Sequence, residues 1–254
     1  MYKHIEVESE GKIGRIWLNR PDRLNALSIA LLQELSQAAA WFDSQEAVRV
    51  VIVAGRGRAF SAGADLEGFP TLQDADLRSA ADAGRRMADA LEGMRALLLA
   101  QIHGWCVGGG LVLAAACDLR IATDSARFSI PEVDLGIPLA WGGIPRLVRE
   151  IGPARTKELV VTCRPFDATE ALSVGFLNKV VAEEDLEVAV SQLAHDIAAK
   201  PALPVFATKS HTNAVTAHMV ALGRSWADAD SLISGIVDKE CQDAREAYLA
   251  SRLK

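Results

Sequence analysis

The stretch HGWCVGGGLVLAAACDL, residues 103–119, decides how this sequence is read. Three consecutive glycines, Gly108 to Gly110, stand directly before an apolar run of helical length. Glycine costs roughly 1 kcal/mol against alanine inside a helix. A chain that begins a helix with three of them is answering a local demand for backbone without side chains. Close helix–strand packing is one such demand. An anion at the helix start is another, because the first N–H groups of a helix have no internal partner and carry partial positive charge. From this stretch alone both readings stand.

The surroundings narrow the fold class. HIEVESEGKIGRIWLNR alternates apolar and polar residues about an EGK turn and predicts a hairpin. Ser28 is placed to cap a helix carrying Ile29, Leu32, Leu35, Ala39 and Phe42. VRVVIVAG (48–55) and ALLLAQIHG (96–104) predict buried strands, with a helix over about 74–95 between them. Residues 118–138 predict two short strands and a loop. From 142 the pattern is mostly helical, with one strand at FLNKVV (176–181) and a boundary near Pro201 and Pro204. Strands alternating with helices give an α/β protein. Two loops rich in small residues, 55–65 and 104–110, follow buried strands, where functional groups tend to be held.

Composition excludes several classes. The 254 residues are 50% hydrophobic, enough for a substantial core, with a formal net charge of -6 and no Lys/Arg block, which argues against a nucleic-acid partner. Cys106, Cys117, Cys163 and Cys241 are widely spaced and read as reduced and buried, which suits a cytoplasmic protein. The start, MYKHIEVESE, has no signal-peptide pattern, and the longest apolar stretch is too short to span a bilayer. VIVAGRGRAF offers Gly55 and Gly57 but has Phe60 where a dinucleotide fingerprint needs glycine. AFSAGAD has Ala59 where a nucleophile elbow needs glycine, so Ser61 reads as a small loop residue. The five histidines show no metal-ligand spacing.

Taken together and in order, AFSAGADL (59–66), HGWCVGGGLVLAAACDLRIA (103–122), FSIPEVDLGIP (128–138) and GGIPRL (142–147) resemble the crotonase superfamily, the enoyl-CoA hydratases and isomerases. LNRPDRLNALS (18–28) and TKELVVTCRPFDATEALSVGFLNKVV (156–181) fit the same pattern. The resemblance implies a crotonase spiral of ββα turns over residues 1–195. It also implies a C-terminal helical region, 196–254, that mediates a homotrimer or a dimer of trimers. It implies an acyl-CoA thioester as substrate, with coenzyme A part of the substrate and no separate cofactor or metal. The thioester carbonyl would sit between the backbone N–H groups of Ala64 and Gly109, where charge develops when a C2 proton leaves; one such donor is worth roughly 3 kcal/mol. A side chain at 109 would then block the thioester.

Glu132, in the PE loop, is the implied acid/base. Hydratases of the family carry a second glutamate three residues after the middle glycine, and here that position is Val112. One carboxylate suffices to move a proton from C2 to C4, so the departure favours Δ3,Δ2-enoyl-CoA isomerisation. A hydratase and a non-catalytic acyl-CoA-binding protein remain the alternatives. Ala140 stands where other branches place an aspartate, and Asp118 reads as structural. Arg23 is the candidate for the CoA phosphates, and the resemblance puts Ala26, Ala62, Asp65, Leu66, Gly108 and Val112 around the substrate.

Overall fold

The computed structural model describes residues 2–66 and 74–252. The expected hairpin forms from β1 (Ile5–Glu10) and β2 (Ile13–Leu18), antiparallel. A parallel array then follows from β3 (Val50–Gly55), β4 (Leu97–Ile102), β6 (Leu119–Thr123) and β9 (Lys179–Val181), giving a six-stranded sheet in the order β1-β2-β3-β4-β6-β9. A second sheet holds β5 (Trp105–Val107), β7 (Arg127–Ser129) and β8 (Phe166–Asp167) in the order β5-β7-β8. From β4 to β7 the chain alternates, putting one strand in the large sheet and the next in the small one, β4–β5 and β6–β7. This is the α/β spiral expected from the sequence.

Helices follow the strands. α1 (Ile29–Asp43) begins where Ser28 accepts the Leu31 N–H at 3.3 Å. α2 (Asp74–Glu92) ends three residues short of the expected 95. α3 (Gly109–Ala116) is the glycine-led helix, buried along its whole length. α4 (Gly143–Thr162) kinks at Gly152, just before Pro153. α5 (Ala168–Ser173) is short. β5 and β8, three and two residues long, carry too little periodicity to be read from sequence. Pro201 caps α7 (Ala202–Val220), but Pro204 falls in its first turn, where proline's missing N–H has no intrahelical role, so it interrupts nothing.

β3 is buried on both faces. Val51 and Val53 join the main core with Leu98, Ala100, Phe60 and the apolar face of α1, whereas Val50 and Ile52 meet Leu186, Val190 and Ala194 of α6 (Leu186–Ala198). α7 is tied to the sheet by a buried ion pair: Lys209 Nζ lies 2.8 Å from Asp118 Oδ2 and donates to the Ala96 carbonyl at 2.9 Å. Asp118 also accepts the Leu98 N–H at 2.7 Å. That pairing satisfies a carboxyl whose pKa burial pushes up. α8 (Asp228–Val237) and α9 (Lys239–Arg252) fold back over the loop that follows β7. Cys106, Cys117 and Cys163 are buried free thiols, whereas Cys241 is partly exposed, against expectation, because it lies at the start of α9.

Candidate active site

The site is assembled by strand pairing. β5 pairs in parallel with β7, setting Val107 opposite Ser129, and the Gly108 N–H donates to the Ser129 carbonyl at 2.9 Å. Three residues beyond Ser129 the chain turns at Glu132, where the Leu135 and Ile137 N–H groups donate back to the Pro131 and Glu132 carbonyls. Glu132 is thereby delivered beside Gly108. On the other side the 61–64 loop lies against β5: Ser61 donates to the Trp105 carbonyl and accepts the Val107 N–H. Gly63, at φ +88°, brings its backbone so close that a Cβ there would lie 2.7 Å from the Val107 oxygen and 3.4 Å from the Gly109 nitrogen. The Ala64 and Gly109 backbones therefore line one cavity. Among the described residues, neither N–H donates to a protein acceptor.

The three glycines answer to three different neighbours. A Cβ on Gly108 would lie within 3.0 Å of Glu132 Oε1, on Gly109 of the Trp141 ring, and on Gly110 of Ser61, separations that real Cβ atoms essentially never show. Gly108 also sits at φ +49°, ψ -116°, outside the regions open to side-chain-bearing residues. The side chain excluded at 109 thus meets an indole, a constraint on Gly109 that holds whether or not a thioester is bound.

Glu132 is 8% exposed. Among the described residues its Oε2 is buried with no hydrogen-bond partner. Burial pushes its pKa from 4.5 up to about 7. Val112 lines the same cavity, 1% exposed and packed toward Gly143. Asp134, two residues from Glu132, is exposed, its N–H lying 3.4 Å from Cys163 Sγ. Glu132 is accordingly the only carboxylate among the described residues that line the cavity.

Of the residues anticipated from sequence, Ala64, Leu66, Gly109, Val112 and Glu132 meet in this cavity of about 390 Å³, with Gly108 directly behind the carboxylate. Arg23 is exposed outside it. Asp65 is ion-paired with Arg20, Nη1 to Oδ2 at 2.8 Å, and the same Nη1 donates to the Ala26 carbonyl at 2.5 Å. Ala62 donates to the Leu24 carbonyl at 2.8 Å. These three residues hold the loop rather than line the cavity. Asn25 fastens that loop from below, accepting the Arg20 N–H and donating to the carbonyls of Arg56 and Ala59, while Ser61 Oγ donates to the Asn25 carbonyl.

The rest of the lining escapes sequence reasoning. Ile137 to Trp141 form one wall; Leu232 and Ile236 of α8 and Gln242, Arg245 and Leu249 of α9 form a cover. Arg245 locks the cover down by donating to the carbonyls of Leu135 and Gly235 at 3.2 and 3.3 Å. The i,i+4 pair Leu232 and Ile236 is the one sequence signal for this role, and it is indistinguishable from ordinary core spacing.

The spiral of alternating sheets, with a buried carboxylate in the cavity that Ala64 and Gly109 line, is the architecture of the crotonase-fold enzymes. The sequence profile described as Enoyl-CoA hydratase/isomerase matches residues 8–253. The crotonyl-CoA hydratase of Syntrophomonas wolfei is 36% identical over 213 residues, 84% of this chain and 82% of that protein. The short-chain-enoyl-CoA hydratase of Clostridium acetobutylicum is 34% identical, over 83% of this chain and 81% of its own. A solved enoyl-CoA hydratase/isomerase from Mycobacterium paratuberculosis superposes with a TM-score of 0.88 at 27% identity, covering 96% of this chain and 98% of that one. The chain belongs to the enoyl-CoA hydratase/isomerase family of acyl-CoA enzymes.

Proposed function

We propose that the chain acts on an acyl-CoA thioester through an enolate, with Glu132 as its acid/base, and that it favours Δ3,Δ2-isomerisation. The thioester oxygen lies between the Ala64 and Gly109 N–H groups. The Glu132 carboxylate takes a proton from C2, the electron pair moves onto the thioester oxygen, and the same carboxyl returns the proton at C4. Donors fixed beforehand at the place where charge appears lower the barrier without reorganising. The observation that carries this reading is that Glu132 is the only carboxylate among the described residues lining the cavity. Hydration needs a water held and activated by a second acid as well as a proton delivered, and Val112, where the hydratases of the family carry that acid, cannot supply it. A pKa near 7 suits a group that must both take and give a proton near neutrality.

The second reading is a 2-enoyl-CoA hydratase, favoured by the two related hydratases above. The test is the ratio of rates on a 3-enoyl-CoA and the matching 2-enoyl-CoA. Faster isomerisation supports the first reading; fast hydration with no isomerisation establishes the second. A raised-pKa carboxylate in the pocket weighs against a protein that only binds acyl-CoA, which has no use for one.

Arg23, on the surface near the site, is the proposed contact for the CoA phosphates. We also infer self-association into trimers or pairs of trimers through the C-terminal region. α7 leaves Leu203, Val215 and Met219 more than half exposed, at 79%, 59% and 76%. Sedimentation of the purified protein decides this, a monomer at micromolar concentration being the contrary result.

A further inference from the structure

Trp141 is held in a way that filling space does not require. Its φ of +62° is a genuine outlier for a bulky residue. Its carbonyl accepts from Arg146 Nη1 at 3.3 Å, and the next N–H, of Gly142, donates to Asp228 Oδ2 at 2.7 Å. Arg146 is itself fully buried and fixed by Asp89 and Glu92 at 2.9 and 2.6 Å. The ring is seated on two glycines. A Cβ on Gly84 of α2 would fall within 3.0 Å of Cγ, Cδ2 and Cε2, and one on Gly109 within 3.0 Å of Cζ3. The indole thus spans from α2 to the first residue of α3, 5% exposed, with its remaining surface in the cavity.

We propose that Trp141 is the specificity-determining wall of the acyl site and restricts it to short acyl groups. This rests on the reading that the cavity takes the acyl part of a CoA thioester with its oxygen at Gly109. The six-membered ring lies against Gly109 itself, so the wall stands at the thioester end and an acyl chain meets it within its first few carbons. Because Gly84 of α2 backs the ring and the Arg146 bond to the Trp141 carbonyl fixes the backbone that carries it, the ring has no room to retreat from a longer tail.

The experiment is calorimetric binding of saturated acyl-CoAs from acetyl to decanoyl, with free CoA as reference, to wild type, Trp141→Ala, Trp141→Phe and Gly84→Ala. Each methylene newly buried is worth about fourfold in affinity. Trp141→Ala is expected to raise the decanoyl-to-butyryl affinity ratio by about tenfold or more, and Trp141→Phe by less. Gly84 lies behind the ring and outside the cavity lining. Its alanine variant pushes the indole toward the acyl space, so the ratio falls. Free CoA binds all four alike. Unchanged ratios in Trp141→Ala and Trp141→Phe with binding intact overturn the proposal, as do shifts of the same sign in Trp141→Ala and Gly84→Ala, which mark general disruption. If wild type binds no acyl-CoA better than free CoA, the acyl reading of the cavity falls too.

Discussion

Glu132→Gln should make this protein more stable in alkaline solution and leave it nearly unchanged in acid. In the native state burial holds the Glu132 pKa at about 7, against 4.5 ordinarily. Between these values the folded chain keeps a proton that the unfolded chain has lost. The unfolded state then binds fewer protons, so stability falls as pH rises, by about 1.4 kcal/mol per pH unit. Below about pH 4.5 both states are protonated and the carboxyl contributes no pH dependence. Above about pH 7 both are ionised and the full penalty, about 3 kcal/mol, is in place. Glutamine keeps the shape and cannot ionise. For a chain of this size about 3 kcal/mol corresponds to roughly 6–12 °C in Tm. Paired melting curves of wild type and variant from pH 4 to pH 9 read the effect directly. The difference in Tm should open between about pH 4.5 and 7 and then level off. A difference that is constant with pH, or a wild type that gains on the variant as pH rises, refutes the picture of a carboxylate desolvated without a partner.

The same substitution should lower turnover by about two to four orders of magnitude, the usual range for a general acid/base, while acyl-CoA affinity hardly changes; full activity would point to another base, with Asp134 the next to mutate. In wild type, kcat/KM should rise with pH through a single step near pH 7 as the Glu132 carboxylate forms, and a profile flat from pH 5 to 9 would contradict the assignment. Val112→Glu should raise hydration of a 2-enoyl-CoA relative to isomerisation of a 3-enoyl-CoA, partially, because a second carboxyl beside Glu132 is held protonated by burial and repulsion; an unchanged ratio in a folded variant counts against the missing-acid argument. Lys209→Met should destabilise by about 3–5 kcal/mol by stranding the Asp118 carboxylate, and Lys209→Met with Asp118→Asn should recover much of that loss in denaturant titrations; no recovery would mean the lysine's stem matters more than its charge.

What the sequence displays and what it hides divide along physical lines. The hairpin, α1 with its Ser28 cap, and the buried strands were legible because each repeats a pattern over six or more residues. The Gly108–Gly110 run announced a backbone constraint, but its cause lay in tertiary neighbours. Glu132, Ser61 and Trp141 reach the three glycines from two separate loops, and no local pattern encodes such a meeting. Glu132 itself was found through the ordered motifs, since a lone glutamate after a proline carries no signal. Trp141 carries no local sequence signal; its positive φ and the two glycines against its ring set it apart only in the folded chain. Asp65 directly follows Ala64, but successive residues of an extended loop face opposite ways, and Asp65 faces Arg20; the Ala62 N–H is spent on the Leu24 carbonyl.

The cover of the cavity bears on how the molecule comes into being. Chains emerge N-terminus first, and early segments begin to fold before later ones appear. The loops that present Ala64, Gly109 and Glu132 are complete by residue 141, whereas Leu232, Ile236, Gln242, Arg245 and Leu249, which roof the cavity, belong to the last two helices. During synthesis the Glu132 carboxyl is therefore in place long before α8 and α9 reach it. The desolvation that raises its affinity for protons is completed only when those two helices dock over the cavity, so the carboxyl itself reports on their arrival.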